Sequence, residues 1–234
     1  MTLTGVFINS IIVFIAGMLG GLIKKGISDK LKTSLMVGLG LCVLYIGISG
    51  FSSDTNVIVL IISIVIGVFI GEIIDIDKRL YQFGNYMQRK LPFKDDNVAE
   101  GFVASTLFVC VGAMSIVGGI ESGTQGTYDT FLAKSFIDGL VIFILATSKG
   151  IGCSFSAFVA LIYQLTITLS SGYIAKYISE SVISQMSEVG SLLIVGVALN
   201  LLNITHIKIG NFILAPYIPV VLFLGQEIFA KVFA

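Results

Sequence analysis

The sequence predicts an all-α membrane protein, a polytopic bundle of about eight transmembrane helices. Of its 234 residues, 56% are hydrophobic and only 12% are charged, whereas about 25% of the residues in soluble domains carry a charge. The mean hydropathy is +1.00. Long apolar runs recur along the chain, each close to the roughly 20 residues that a helix needs to cross a bilayer. We therefore treat residues 1–234 as a single membrane domain surrounded by the lipid bilayer.

Eight runs are apolar over the length of a span. They cover residues 4–23, 33–51, 56–75, 98–119, 130–148, 152–171, 188–204 and 211–231. The first run has no basic segment before it and continues past Gly17. We therefore expect it to be a retained span rather than a cleaved signal peptide.

Residues 76–97 form the one long connection between spans. Apolar residues recur there at helical spacing, at Ile76, Leu80, Phe83 and Met87. Basic residues occupy much of the remaining surface, at Lys78, Arg79, Arg89 and Lys90. This pattern predicts an amphipathic helix on the cytoplasmic membrane surface. We expect Pro92 to end it, and Asn97 with Glu100 resembles a capping box that opens the fourth span.

The basic residues predict the orientation of the chain. Cytoplasmic loops are enriched in Lys and Arg. With the N-terminus outside, eight spans place 11 of the 14 basic residues inside, and 3 outside, at Lys134, Lys176 and Lys231. We therefore expect both termini to lie outside.

A weak internal similarity relates the two ends of the chain. Residues 21–29 resemble residues 172–180. Five spans separate the matched helices, so the two copies would run in opposite directions. This predicts an inverted-topology repeat in which spans 1–3 (residues 1–75) match spans 6–8 (residues 152–234), with spans 4–5 (residues 98–151) unpaired. The alternative is a chance alignment of apolar sequence.

Charged residues inside the fifth span predict a functional site. Asp138 lies near the middle of this span, Lys134 lies one helical turn before it, and Ser135 is beside them. A charge at the bilayer centre costs about 2.5 to 3.5 kcal/mol on insertion scales. Residues four apart share a helix face, so a purely structural ion pair is one interpretation. The other, which we adopt, is a substrate or ion site formed by these three residues.

Two glycine-rich stretches, residues 115–123 and 148–156, predict breaks in the helices. Unwound backbone in a membrane is tolerated only where protein or water satisfies it, and helix ends there can direct partial charges at a ligand. The candidate site therefore includes Ser115, Gly118, Gly119, Gly150, Gly152, Ser154 and Ser156. The alternative is that these glycines only end helices and allow close packing.

Two amides complete the candidate site. Gln164 lies in the middle of the sixth span, and Asn200 lies in the inner half of the seventh. Amides within spans form hydrogen bonds between helices or contact ligands. Pro216 is expected to kink the eighth span or to free a backbone carbonyl.

The sequence carries no signature of an enzyme. We find no nucleophile with a paired base, no metal-ligand cluster and no phosphate-binding loop. Cys42, Cys110 and Cys153 lie in apolar runs without CxxC spacing, which predicts buried thiols. The 14 acidic and 14 basic residues cancel and do not indicate a nucleic-acid partner. We therefore expect no catalytic residue, no metal and no cofactor.

The stretch from Gly112 to Gln164 reads GAMSIVGGIESG, then LAKSFIDG, GIG, FSA and YQ. It resembles the domain of unknown function 554 family, with a similarity that extends over essentially the whole chain. The matching positions are Gly112, Ile116, Gly118, Gly123, Lys134, Ser135, Asp138, Gly139, Gly150, Gly152, Phe155, Ser156, Ala157, Tyr163 and Gln164. The chain departs from the family pattern at Glu121, Thr124 and Leu165. The resemblance implies a multi-pass protein of the bacterial cytoplasmic (inner) membrane, with transport as the expected activity and no substrate assigned.

Three functions are compatible with these features. The first, which we favour, is a small secondary transporter, an ion- or proton-coupled carrier of a small solute. It would act as a homodimer, with a midplane site around Asp138. The second is an ion channel or pore, which needs a continuous polar path. The third is a membrane component without transport activity that assembles with a partner through the helix predicted at residues 76–92.

Overall fold

The computed structural model describes residues 1–51, 56–90, 98–111, 114–174 and 179–233. Every element within these ranges is helical. The α-helices are α1 (Thr4–Ile23), α2 (Asp29–Ser49), α3 (Val57–Ile74), α4 (Ile76–Lys90), α5 (Val98–Val111), α6 (Met114–Thr124), α7 (Asp129–Lys149), α8 (Ser156–Ile174), α9 (Glu180–Leu201) and α10 (Ile218–Phe233). Short 3-10 turns occupy Lys24–Gly26, Ile151–Phe155, Ile209–Phe212 and Ala215–Tyr217.

The helices of the described residues confirm the all-α transmembrane bundle. Seven helical stretches are long and apolar enough to cross a membrane, and α5 with α6 supplies an eighth. That fourth span is a broken one, since α5 and α6 are bent by 56° relative to each other. The seventh span begins at Glu180 rather than at residue 188, because the Ser179 side chain accepts a hydrogen bond from the Val182 amide and caps α9 there.

The amphipathic helix predicted after the third span is α4. Asp75 adopts a left-handed conformation with φ 53°, which ends α3 and lets the chain change direction. Leu80 packs against the hydrophobic core. The rings of Phe83 and Phe102 lie 5.5 Å apart and attach α4 to α5. Pro92 and Asn97 lie outside the described residues, so the predicted helix end and capping box stay predictions.

Close packing against α1 holds α7 in the centre of the bundle. Gly5 of α1 lies against Phe131 of α7, and Gly20 lies against Phe143 and Ala146. The residue numbers of the contacts increase along both helices in the same direction, so α1 and α7 are parallel. A side chain at Gly20 would collide with the Phe143 carbonyl oxygen. This glycine therefore sets how closely the two helices approach.

The relative directions of the helices agree with eight alternating passes. The first and fifth spans, α1 and α7, are parallel. Gly40 of α2 faces Leu202, and Gly47 faces Val195, so α2 and α9 are antiparallel, as a second and a seventh span must be. Which face of the bundle is cytoplasmic stays a prediction, as does the inverted repeat.

The predicted breaks are only partly found. Gly150, with φ 92°, ends α7, and a 3-10 turn follows it, as the glycine-rich stretch 148–156 predicted. The prediction for residues 115–123 is wrong, because α6 is helical throughout. The eighth span does begin irregularly, since Pro216 lies in a 3-10 turn before α10. Cys42 is exposed on α2, contrary to the buried thiol expected there.

Candidate functional site

Helix α7 places Lys134 and Asp138 on one face, inside the bundle. The two residues are only 3% and 1% exposed. The Lys134 Nζ lies 3.1 Å from Oδ1 and 3.0 Å from Oδ2 of Asp138. At about 1.5 Å of rise per residue, Asp138 lies roughly 14 Å along a helix of about 32 Å. The two residues therefore form a buried ion pair near the middle of the span.

Asn9 of α1 adds a second donor to the carboxylate. It is 0% exposed, and its Nδ2 donates to Asp138 Oδ2 over 3.1 Å. The parallel packing of α1 on α7 brings these two residues together although 129 positions separate them in the chain. Asn9 was not among the residues predicted from the sequence. The signal that could have found it is its amide in an otherwise apolar span, where polar groups need partners.

Gln164 of α8 extends the hydrogen-bonded series. Its Nε2 donates to Asn9 Oδ1 over 2.9 Å. A carboxylate only accepts, so Asn9 must turn its amide nitrogen toward Asp138 and its oxygen toward Gln164. Gln164 must then give its own nitrogen to Asn9. The four side chains Lys134, Asp138, Asn9 and Gln164 form what we call the mid-membrane cluster.

The mid-membrane cluster ends on an unpaired oxygen. Gln164 is 0% exposed, and its Oε1 has no hydrogen-bond partner among the described residues. Thr168 lies one turn further along the same face of α8, and its buried Oγ1 likewise has none there. Buried polar atoms in proteins are nearly always paired. These two atoms are therefore available to a ligand.

The bend between α5 and α6 adjoins the mid-membrane cluster. Cys110, near the end of α5, lies within electrostatic range of both Lys134 and Asp138. In the first turn of α6, the Ser115 hydroxyl donates to the Val109 carbonyl over 3.3 Å. The bend between α5 and α6 therefore lies on the side of the bundle from which Cys110 approaches the ion pair.

The predicted residues of α6 and Ser135 serve packing. The Ser135 hydroxyl donates to the Phe131 carbonyl over 2.6 Å, within α7. Gly118 faces the ring of Phe131, and Gly119 faces Ile167 of α8. These glycines let α6 approach α7 and α8 closely. This matches the alternative interpretation of the sequence, in which the glycines allow helix packing.

The residues after α7 also bond locally. The hydroxyls of Ser154 and Ser156 each donate over 2.7 Å to backbone carbonyls within the turn. Gly152 packs against the backbone of Val98 at the start of α5. Together with Gly150 they form the end of α7 and the turn after it, 12 to 18 residues beyond Asp138 in the chain, and are not part of the mid-membrane cluster.

Asn200 lies apart from the mid-membrane cluster, which corrects the prediction that it completes a midplane site. It is close to the end of α9. Its Nδ2 donates to the Ile207 carbonyl over 2.7 Å, and its Oδ1 accepts from the Ile207 amide over 2.9 Å and from Thr205 over 2.8 Å. Its side chain therefore holds the chain that follows α9.

A cavity of about 740 Å³ lies at the end of the bundle where α7 ends. Charged side chains line much of it, among them Lys24, Asp29, Lys32, Asp77, Glu100, Lys149 and Lys208. Lys149 of α7 forms an ion pair with Glu100 of α5. The cavity extends along α5 as far as Leu107, about one turn before Cys110.

An apolar layer separates this cavity from the mid-membrane cluster. On α7, Val141, Ile142 and Leu145 lie between Asp138 and Lys149, and all three are buried in the hydrophobic core with Leu107. Toward the other end of α7, Phe131 is fully buried between α1 and α6. Within the described part of the chain the mid-membrane cluster is therefore buried, and a cavity lined partly by charged side chains approaches it from one side.

A second buried acid, Glu188, was likewise not predicted from the sequence. It is 3% exposed, on α9. This helix packs against α2, α5 and the turns before α10. The hydrogen bonds of the mid-membrane cluster come from α1, α7 and α8 instead.

Comparisons with known proteins agree with this architecture. The model of the family "Protein of unknown function (DUF554)" matches residues 4–224. The chain belongs to this family. The DUF554 chain is 30% identical over 219 residues to the "Uncharacterized membrane protein YdfK" of Bacillus subtilis (strain 168), covering 92% of this chain and 93% of that protein. It is 28% identical over 215 residues to the "Uncharacterized protein YqgA" of Escherichia coli (strain K12), covering 89% and 91%. No solved structure matches it.

Proposed function

We propose that this DUF554 membrane protein is a small secondary transporter, a carrier that couples a small solute to an ion or proton, with its site at the mid-membrane cluster. The observation that carries the proposal is the buried series from Lys134 to Gln164, which ends on an unpaired oxygen. Removing two charges from water is costly, and a buried pair is weak evidence for a purely stabilising role. Ionisable residues within spans commonly mark the paths of ions and substrates.

The enclosure of the mid-membrane cluster supports a carrier over a channel. A carrier exposes its site to one side at a time, whereas a channel needs a continuous polar path. The apolar layer of Val141, Ile142 and Leu145 interrupts such a path between the cavity and Asp138. The polar cavity then corresponds to the access route on one side.

The bent fourth span supports the same proposal. Secondary transporters often place their sites beside interrupted helices near the bilayer midplane. Here α5 and α6 meet at 56°, and Cys110 at the end of α5 is within electrostatic range of the ion pair. A movement of α5 relative to α6 would change what surrounds Asp138.

The proposal includes the cytoplasmic membrane of a bacterium and a homodimer. Two relatives are bacterial, and one is named a membrane protein. A chain of 234 residues offers little scaffold for a moving unit, which a second copy would supply. We propose no catalytic activity.

The test is electrical recording from reconstituted protein. Wild type, Asp138→Asn and the matched control Asp129→Asn are placed in proteoliposomes, and currents are recorded over a panel of cations, small anions and amino acids. Asp129 is exposed in the first turn of the same helix. We expect responses from wild type and control and none from Asp138→Asn. Equal responses from wild type and Asp138→Asn overturn the proposal.

A further inference from the structure

We propose that the solute of the mid-membrane cluster is a small zwitterion, an amino acid with a short side chain, which enters between Lys134 and Asp138. This inference rests on the proposed carrier function and adds the chemical class of the solute. The solute carboxylate takes the place of Asp138 beside Lys134, and the solute ammonium takes the place of Lys134 beside Asp138.

The ion pair limits which solutes can open it. The Lys134 Nζ lies 3.1 and 3.0 Å from the two oxygens of Asp138, and both side chains are almost fully buried. A solute that draws one of these groups away from the other leaves a charge without its counter-charge, which is costly inside a membrane. The solute must therefore supply a new partner to both residues.

A zwitterion meets this requirement, whereas a solute with one charge does not. An anion that pairs with Lys134 leaves Asp138 without a counter-charge, and a cation that pairs with Asp138 leaves Lys134 without one. An uncharged solute replaces neither partner. A zwitterion forms two ion pairs in place of one, so the total charge of the site stays at zero and no proton has to move.

The unpaired oxygen of Gln164 suits the ammonium end of the solute. An ammonium has three N–H donors. Asp138 offers two oxygens, and one of them also accepts from Asn9. Gln164 Oε1 is buried without a hydrogen-bond partner among the described residues, on the same amide whose nitrogen donates to Asn9. Gln164 thus provides a further acceptor on the helix that faces the ion pair through Asn9.

The packing on both sides of the ion pair limits the size of the solute. Phe131, one helical turn before Lys134, is fully buried, and a Cβ at Gly118 of α6 would lie 3.1 Å from its ring. Val141, one turn after Asp138, is buried in the hydrophobic core. This leaves space for the side chain of glycine, alanine or serine rather than for an aromatic one.

The cavity at the end of α7 carries both charges as well. The Lys32 Nζ lies 3.1 Å from Asp29 Oδ1, and Lys149 pairs with Glu100, and all four residues line the cavity. A cleft lined by one sign of charge concentrates ions of the opposite sign. A lining with both signs suits a solute that carries both charges and has no net charge.

The experiment on wild type measures binding of radioactive glycine, L-alanine and L-serine to the purified protein in detergent by equilibrium dialysis. Propionate and ethylamine serve as matched competitors, because each is close to alanine in size and carries one of its two charges. L-Phenylalanine tests the limit on size. We expect the three small amino acids to compete with one another. Propionate and ethylamine should displace no label, alone or together, and L-phenylalanine should compete weakly.

Two variants test the residues. Lys134→Met with Asp138→Leu removes both charges together, so it should fold and bind no alanine. Gln164→Leu should weaken alanine binding by about tenfold or more, the loss of one hydrogen bond to a charged group. Gln125→Leu is the matched control, because Gln125 is exposed after α6. Size-exclusion chromatography checks that each variant is folded.

The outcomes separate the two proposals. The zwitterion site is overturned if none of the three amino acids binds, if propionate or ethylamine competes as well as alanine does, or if the double variant binds alanine like wild type. Unchanged alanine binding by Gln164→Leu overturns the role of Gln164. Counterflow of a solute with one charge or none that is lost in Asp138→Asn overturns the zwitterion but leaves the carrier intact. Equal behaviour of wild type and Asp138→Asn with every solute overturns the carrier itself.

Discussion

The Nζ of Lys134 lies 3.0 Å from Oδ2 of Asp138, one helical turn away on α7, in the closed interior of a transmembrane bundle. The pair does not stand alone, because Asn9 donates to the same carboxylate oxygen and Gln164 donates to Asn9. Three helices thus meet at two charges and two amides.

The first expected outcome concerns the stability of the ion pair. Asp138→Asn leaves Lys134 without its counter-charge, and breaking a buried pair from one side costs about 3 to 5 kcal/mol. The double replacement Lys134→Met with Asp138→Leu should be neutral to about 4 kcal/mol more stable than wild type, because no charge remains to be desolvated.

Thermal unfolding measures this difference. The chain contains no tryptophan, but Cys110 and Cys153 are buried, so a thiol-reactive dye reports unfolding. Asp129→Asn serves as the exposed control. If Lys134→Met with Asp138→Leu is less stable than Asp138→Asn, the burial of the two charges does not carry the desolvation cost described above.

The second outcome concerns Asn9. Asn9→Leu removes one donor from Asp138 and leaves the Gln164 nitrogen unpaired, which should cost about 1 to 3 kcal/mol. Ser10→Ala is the control on the same helix, because that hydroxyl donates to the Val6 carbonyl within α1. The thiol-dye assay should show a lower melting temperature for Asn9→Leu and an unchanged melting temperature for Ser10→Ala. Equal melting temperatures would mean that Asn9 does not support the carboxylate.

The third outcome concerns the packing of α1 on α7. A side chain at Gly20 meets the Phe143 carbonyl, whereas a Cβ at Gly38 of α2 meets nothing within 4 Å. Gly20→Ala should therefore lower the melting temperature. Gly38→Ala should raise it by the equivalent of about 0.5 to 1 kcal/mol, since alanine is the better helix former. Shifts of the same sign would show that α1 is not held against α7 in this way.

The fourth outcome concerns orientation. Lys30 in the first turn of α2 and Thr127 between α6 and α7 are both exposed, so a single cysteine is placed at each of them in turn. In a Cys42→Ser background, a membrane-impermeant thiol reagent should label Thr127→Cys in intact cells and Lys30→Cys only after the cytoplasmic side is opened. The reverse pattern would place the termini inside and contradict the distribution of basic residues.

The sequence was sufficient for what depends on a single helix. Apolar length predicted the spans, and the spacing of Lys134 and Asp138 predicted their shared face, because both follow from helix geometry. It was not sufficient for contacts between helices. Asn9 became part of the mid-membrane cluster only through the packing of α1 on α7, which no local pattern specifies.

The glycines and Asn200 show the same limit. A glycine permits either a break or a close helix contact, and the neighbour decides which one occurs. Gly150 ends α7, whereas Gly118 stays helical and receives the ring of Phe131. The position of Asn200 within a span suggested an inward site, but its partners are the backbone of Ile207 and the side chain of Thr205 beyond the end of α9.

The most direct test of the mid-membrane cluster as a transport site is counterflow in proteoliposomes. Vesicles are preloaded with whichever solute or cation gives a response, and labelled solute is added outside. Wild type and Asp129→Asn should accumulate label transiently and saturably, and Asp138→Asn should not. Accumulation by Asp138→Asn at the wild-type rate would contradict the account.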